Sequence, residues 1–179
     1  MVFRTDFSDE GRWRSFVEQW DGLVGARIEA AAEEEEGEGT GSGSGLERVV
    51  DKVYMKIVDD EEAMRGKGVK DVVIAYQMWK EESDIEPGLD TKMCLMVDAE
   101  CIASIVDVRT DDEKKAIPPF VKAVDVSPPT NGSVDDEYGG VFKVAISSLV
   151  LEFWPALRIF GHPSELAPFA DPVWESADG

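Results

Sequence analysis

Alternation opens the chain. Phe3, Thr5 and Phe7 share one side of an extended segment and Arg4 and Asp6 the other, which predicts a strand, with Ser8 placed to cap whatever helix follows. Helical spacing takes over at once. Trp13, Phe16, Val17, Trp20 and Val24 form one stripe, with Arg12, Arg14, Glu18, Gln19 and Asp21 on the opposite face. An aromatic stripe of this kind predicts core, because aromatic burial dominates core energetics. The helix is expected to continue through Arg27 to about Ala32.

Periodicity then lapses. Residues 30–45 run from four consecutive glutamates into alternating Gly and Ser, and predict an acidic, flexible, disordered linker inserted into the domain. They are no phosphate-binding loop, since no Gly-Lys-Ser/Thr follows the glycines. Residues 49–58 alternate as a strand, and residues 69–82 carry Val69, Val72, Val73, Tyr76 and Trp79 on one helical face. Pro87-Gly88 breaks the chain before residues 92–97, whose nearly continuous apolar run predicts a strand covered on both faces. A helical turn from Asp98 and a further strand over 105–108 follow.

Residues 110–140, rich in Pro-Pro, Asn-Gly and Gly-Gly pairs around one strand-like run at 120–126, read as an inserted hairpin or loop. A strand at 141–146, a short helix at 147–153 ended by Pro155, a last strand at 156–160, and a helix from His162 capped by Ser164 complete the pattern. From Glu175 the tail is expected to fray. The order β-α-β-α-β-β-(insert)-β-α-β-α predicts a single α/β domain over 1–179, a mixed sheet with helices packed on it.

Composition adds one strong fact. Thirty-eight acidic against eighteen basic residues give a formal charge of −20, which repels phosphate backbones and anionic lipid and disfavours nucleic acid and membranes as partners. A basic protein surface is the natural partner for such a charge, and solvation its simplest consequence. The apolar tract over 144–160 is interrupted by Ser147, Ser148, Glu152, Pro155 and Arg158 and is not a membrane span. No apolar run of signal-peptide length stands near the N-terminus, and the two cysteines, Cys94 and Cys101, make neither a disulfide framework nor a zinc knuckle. A reduced, cytoplasmic setting is therefore expected, in which Asn131-Gly132-Ser133 is only a turn.

The stretch Arg4-Thr5-Asp6-Phe7-Ser8-Asp9 followed by Trp13 resembles the opening of a family of small acidic proteins, mainly bacterial, that is a domain-of-unknown-function family. Residues 54–60, 94–99, 105–108, 142–149 and 157–170 look similar in the same order, while the stretches around 30–45 and 110–140 stand as insertions on that scaffold. The resemblance implies domain boundaries and carries no activity.

Candidate chemistry is sparse. Several predicted strands end in acids, and ligands in open α/β sheets sit outside the carboxyl ends of strands. Arg4, Asp6 and Asp98 are accordingly the candidate ligand-binding residues, and Asp6, Asp98 and Asp107 a candidate set for a hard cation such as Mg²⁺ if they converge. The competing account is that Asp caps helices and turns, and that Arg4 pairs locally with Asp6. His162, the only histidine, has no nucleophile elbow beside it and is expected to be solvent-exposed or bonded to backbone. The apolar run from Leu149 to Trp154 is core by default and a self-association patch only if exposed. Two functions follow: a non-enzymatic protein-interaction module, favoured because high acidity comes without a coherent catalytic set, or a small enzyme or ligand-binding protein with a pocket at the strand carboxyl ends.

Overall fold

Strand β1 (Val2–Arg4) lies inside the sheet, where every one of its side chains is buried, and the rest of the fold is arranged around it. In the computed structural model, which describes residues 1–37, 56–83, 92–107, 117–127 and 138–176, β1 leads to the long helix α1 (Glu10–Gly37) and then to β2 (Ile57–Val58). Helices α2 (Glu61–Met64) and α3 (Val69–Glu82) precede β3 (Met93–Val97), and α4 (Ala99–Val106) precedes β4 (Phe120–Asp125) and β5 (Val141–Ala145). A π-helical turn (Leu149–Phe153) runs into α5 (Trp154–Phe160), followed by α6 (Pro163–Leu166) and a 3₁₀ turn (Ala167–Phe169).

The strands form one mixed sheet in the order β2-β1-β3-β4-β5. β1 is parallel to both neighbours, with Val2 beside Ile57 on one side and Leu95 on the other. β4 is antiparallel to both of its neighbours. Alternation divides the sheet into two apolar layers. Val2, Leu95, Val97, Ala123 and Val144 join Trp13, Phe16 and Trp20 of α1 and Cys101, Ile102 and Ile105 of α4. Phe3, Cys94, Met96 and Val124 join Phe7, Met64 and the Val72/Tyr76 face of α3. The α1 stripe is held ring to ring, Trp13 stacking on Phe16 at 5.5 Å and Phe16 meeting Trp20 edge-on at 5.7 Å. β3, buried at all five positions, is the doubly covered strand its apolar run predicts.

Several expectations are corrected. Asp9, not Ser8, caps α1, its Oδ1 accepting the Arg12 N–H at 3.0 Å. The helix continues through the glutamates to Gly37, because straight-chain residues propagate a helix once it is nucleated; the rest of the expected linker, residues 38–45, and positions 49–55 of the expected strand lie outside the described residues. Ile105 and Val106 end helix α4 rather than begin a strand, and Val108 of that expected strand lies outside the described residues. Asp98 caps that helix by accepting from the Glu100 and Cys101 N–H groups, and Ile102 and Ile105, three apart, both turn to the core.

Residues 120–125 are no excursion. They form β4, an interior strand between β3 and β5, and its first N–H is accepted by the Ser104 hydroxyl at 3.1 Å. The flanking residues 110–116 and 128–137, including Asn131-Gly132-Ser133, lie outside the described residues. Residues 156–160 are helical, not extended. Pro155 sits in the first turn of α5, where a missing N–H is tolerated. The cap of α6 is His162, whose Nδ1 accepts the Ser164 N–H at 3.2 Å. The tail is tied down as far as Ser176: Trp174 pairs with β5 and the Ser176 N–H reaches the Ser148 Oγ at 3.1 Å. Leu149 and Phe153 are fully buried, so the 149–154 run offers no patch, and the most exposed large apolar residues nearby are Ile159 and Phe169.

The two cysteines are free, unexposed and in opposite layers of the sheet. Burial pushes both thiols up to about 12, and the thiolate is the reactive form. An alkylating reagent at neutral pH should therefore leave both unmodified in the native protein and label both once urea unfolds it; labelling at the native rate of a free thiol would show the layers open.

Candidate functional site

The chain leaves β1 for one neighbour through α1 on one face and reaches the other neighbour, β3, through α3 on the opposite face. That reversal places a switch point at the carboxyl ends of β1 and β3, where doubly wound sheets hold ligands. Here the protein's own groups fill it. Thr5 N–H donates to the Val97 carbonyl at 2.9 Å, and Gly66 N–H donates to the Thr5 carbonyl at 2.9 Å. Gly66 turns the chain into that position with a φ of 67°.

Arg4 is 1% exposed. Its guanidinium lies over the Phe7 ring at 4.2 Å and the Trp13 ring at 4.6 Å. Nε donates to the Asp6 carbonyl at 2.8 Å, Nη1 to Asp59 at 3.0 Å and Nη2 to Glu10 at 2.5 Å. The expected pairing with the Asp6 carboxylate is therefore replaced by the Asp6 backbone, and the charge partners come from α1 and from the end of β2. The Asp6 carboxylate instead accepts the Ser8 N–H at 3.0 Å in a local turn. Arg4 thus knots the strand-to-helix corner, with its donors directed at protein.

Asp98 and Asp107 go to different neighbours. Asp98 caps α4 and meets Lys122 Nζ at 2.5 Å. Asp107 follows the last turn of α4, ending no strand, and meets Arg12 at 2.5 Å on the surface. The structure does not bring Asp6, Asp98 and Asp107 together, and among the described residues no group of three His, Cys, Asp or Glu side chains is placed to hold a metal ion. Asp60, also at a strand end, caps α2 by accepting the Ala63 N–H at 3.0 Å. Capping accounts for two of these acids, Asp98 and Asp60, because an Asp side chain satisfies the N–H groups a helix start leaves open.

The described residues also form a slot and a groove. The slot, of about 150 Å³, lies between α1 and the β2 edge, walled by Trp13, Phe16, Trp20 and Ile57, with Asp21 at its polar side. The groove, of about 570 Å³, lies on the sheet face that α3 leaves open, between Val69 and the segment carrying Ser164, Pro168 and Pro172. Its floor holds Lys122 and Lys143, which face each other directly across the β4–β5 ladder. Sequence alone misses both, because each is assembled from segments far apart in the chain; the only local signal was an unusual lysine in each of two strand patterns.

The lysines are bound to acids. Glu100 bridges them, Oε2 to Lys122 at 2.8 Å and Oε1 to Lys143 at 2.5 Å. Burial raises the Asp98 carboxyl, but its hydrogen bond from Lys122 and the Cys101 N–H outweigh that and hold it below the ordinary range. Hydrogen bonds from Lys122 and Lys143 hold Glu100 low as well. Burial acts against the Lys122 ammonium, and the bonds to Asp98 and Glu100 overcome it and leave its pKa raised. Carboxyls that bind protons less readily when folded add stability above their ordinary values of 3.8 and 4.5, and this is lost as pH falls through the lower folded values. Urea midpoints should therefore fall as pH drops below about 4.5, and the Lys122→Met variant should show a shallower fall. An identical acid limb in both proteins would remove this cluster from the acid response.

No helix among the described residues is long and apolar enough to cross a membrane. No protein-family model, curated protein or solved structure matches the chain.

Proposed function

We propose that this chain is a non-enzymatic interaction module that takes a basic segment of a partner protein along the edge formed by β2 and the first half of α1. The supporting observation is the aromatic slot beside that edge. Lys56 turns its carbonyl toward β1, accepting the Val2 N–H at 2.9 Å, so strand alternation directs the N–H and carbonyl of Ile57 outward. An extended segment laid there would pair with Ile57 and place an apolar side chain between Trp13, Phe16 and Trp20. The rim is acidic, with Asp21 in the slot, exposed Glu18 one turn away and exposed Asp59, Asp60, Glu61 and Glu62 after β2. Charge complementarity therefore selects lysine or arginine at alternate positions of the partner.

The finer readings travel with this proposal. A reduced, cytoplasmic setting fits two buried, free thiols. Kinship with the acidic family of the Arg4-Thr5-Asp6-Phe7-Ser8-Asp9 opening is a proposal resting on that motif, and the corner supplies a reason for its spacing: Phe7 and Trp13 flank the guanidinium and Asp9 starts the helix.

A peptide alternating lysine with leucine is the probe, titrated while the fluorescence of Trp13 and Trp20 is followed at low and high salt. Binding should weaken with salt and be abolished by Val17→Arg, which blocks the slot from a half-exposed helix position. Binding that Val17→Arg leaves intact would overturn the assignment. Light scattering on the same samples would show whether a second copy takes the edge instead.

A further inference from the structure

The β4–β5 register sets Lys122 directly opposite Lys143. Like charges in that position destabilise a sheet, and a chain with only eighteen basic residues has placed two of them there. Glu100 compensates them with one oxygen each, at 2.8 and 2.5 Å. Its own side chain is 51% exposed, so it is free to swing into water. The two lysines are 19% and 28% exposed and are fixed by the sheet, Lys143 resting over the Phe120 ring at 4.6 Å.

Both lysines line the groove of about 570 Å³, and Glu100 reaches them from the first turn of α4 without lining it. The volume is that of a small-molecule site. Beyond the lysines, Met96, Val141 and Pro168 supply apolar wall along the groove. Tyr138 also lines the groove, with its buried hydroxyl beside the Asp125 carboxylate. Burial, and then the nearby Asp125 carboxylate, raise that phenol's pKa, so it is a neutral donor at any physiological pH.

We infer that this groove binds an amphipathic monoanion, whose carboxylate takes the place of Glu100 between Lys122 and Lys143 while its apolar body lies along Met96, Val141 and Pro168. Glu100 in this arrangement is an internal competitor that holds the two ammonium groups in position until the ligand arrives. The charge of −20 decides the ligand class. A small, highly charged anion such as phosphate has only the two lysines to set against that repulsion, whereas an apolar body adds burial. This site lies on the open sheet face, apart from the β2 edge, and does not depend on the interaction reading.

Octanoate is the probe, titrated by calorimetry into the full chain, with 1-octanol and inorganic phosphate as its uncharged and non-apolar counterparts. Octanoate alone should bind. Glu100→Gln, which removes the competitor's charge at a half-exposed position, should tighten octanoate roughly tenfold, and Lys143→Met should weaken it by roughly tenfold or more. Equal binding of octanol, binding of phosphate as tight as that of octanoate, or no tightening in Glu100→Gln would each overturn the proposal. Should Lys143→Met fail to fold, Glu100→Gln decides alone.

Discussion

Replacing both Glu10 and Asp59 with alanine is expected to destabilise the protein by about 3–5 kcal/mol, the range seen when a buried charge loses its partners. Arg4 is the reason. Its side chain is 2% exposed, while those of Glu10 and Asp59 are 65% and 46% exposed. Once the acids are gone, the guanidinium keeps only the Asp6 carbonyl and two aromatic faces as its partners in the protein.

The reverse substitution should be milder. Arg4→Met removes the charge, keeps much of the apolar volume between Phe7 and Trp13, and releases two carboxylates that water already reaches. A loss about half that of the double alanine variant is expected in urea melts. The asymmetry separates two views of the corner. Were Arg4 held in place for an incoming anion, Arg4→Met would leave stability untouched; were it simply one partner of a surface ion pair, both variants would cost under about 1 kcal/mol. The large loss from the exposed side of the pair is specific to a buried cation serving as the knot of the fold.

How much of this was legible depends on how local each signal is. The α1 stripe, the α3 face and the continuous apolar run of β3 are written within single windows of sequence, and each takes the form its spacing implies. Ile105 and Val106 suit a strand or a helix equally, and so short a run carries no period. Asp98, seven residues upstream, decides for helix by capping it. β4 was hidden by the prolines and glycines around it, and its place inside the sheet rests on pairing with β3 and β5, which no local pattern encodes. The corner shows both cases at once. Phe7 and Trp13 are near Arg4 in sequence, but Asp59 is 55 residues away. The groove is the extreme case, because α3, the sheet and the C-terminal segment must all be in place before it exists.

Phe153→Ala is expected to cost about 3–5 kcal/mol, as large aromatic truncations in sealed cores do, and its effect should begin at the C-terminal end. The ring is unexposed and meets Trp154 at 5.0 Å, Trp174 at 5.5 Å and Phe142 at 6.0 Å. The helix widens there: Phe153 N–H bonds the Ser148 carbonyl, five residues back, at 2.9 Å, and that same carbonyl receives the Glu152 N–H at 3.3 Å. Leu149 and Phe153, four apart, both face the core, while Glu152 meets Arg27 of α1 at 2.6 and 2.9 Å. Trp174 depends on the same ring. Its N–H and carbonyl extend β5 through Lys143 and Ala145 at 2.8 and 2.9 Å, and its side chain has Phe153 beneath it. Amide exchange should therefore accelerate first at Trp174 and Ser176, before β3 loses protection. Phe153→Leu, which preserves most of the volume, should lose no more than about 1.5 kcal/mol and keep Trp174 protected. A loss under about 1 kcal/mol in Phe153→Ala, or exchange that rises uniformly across the sheet, would show that the π turn does not anchor the C-terminal segment at Trp174.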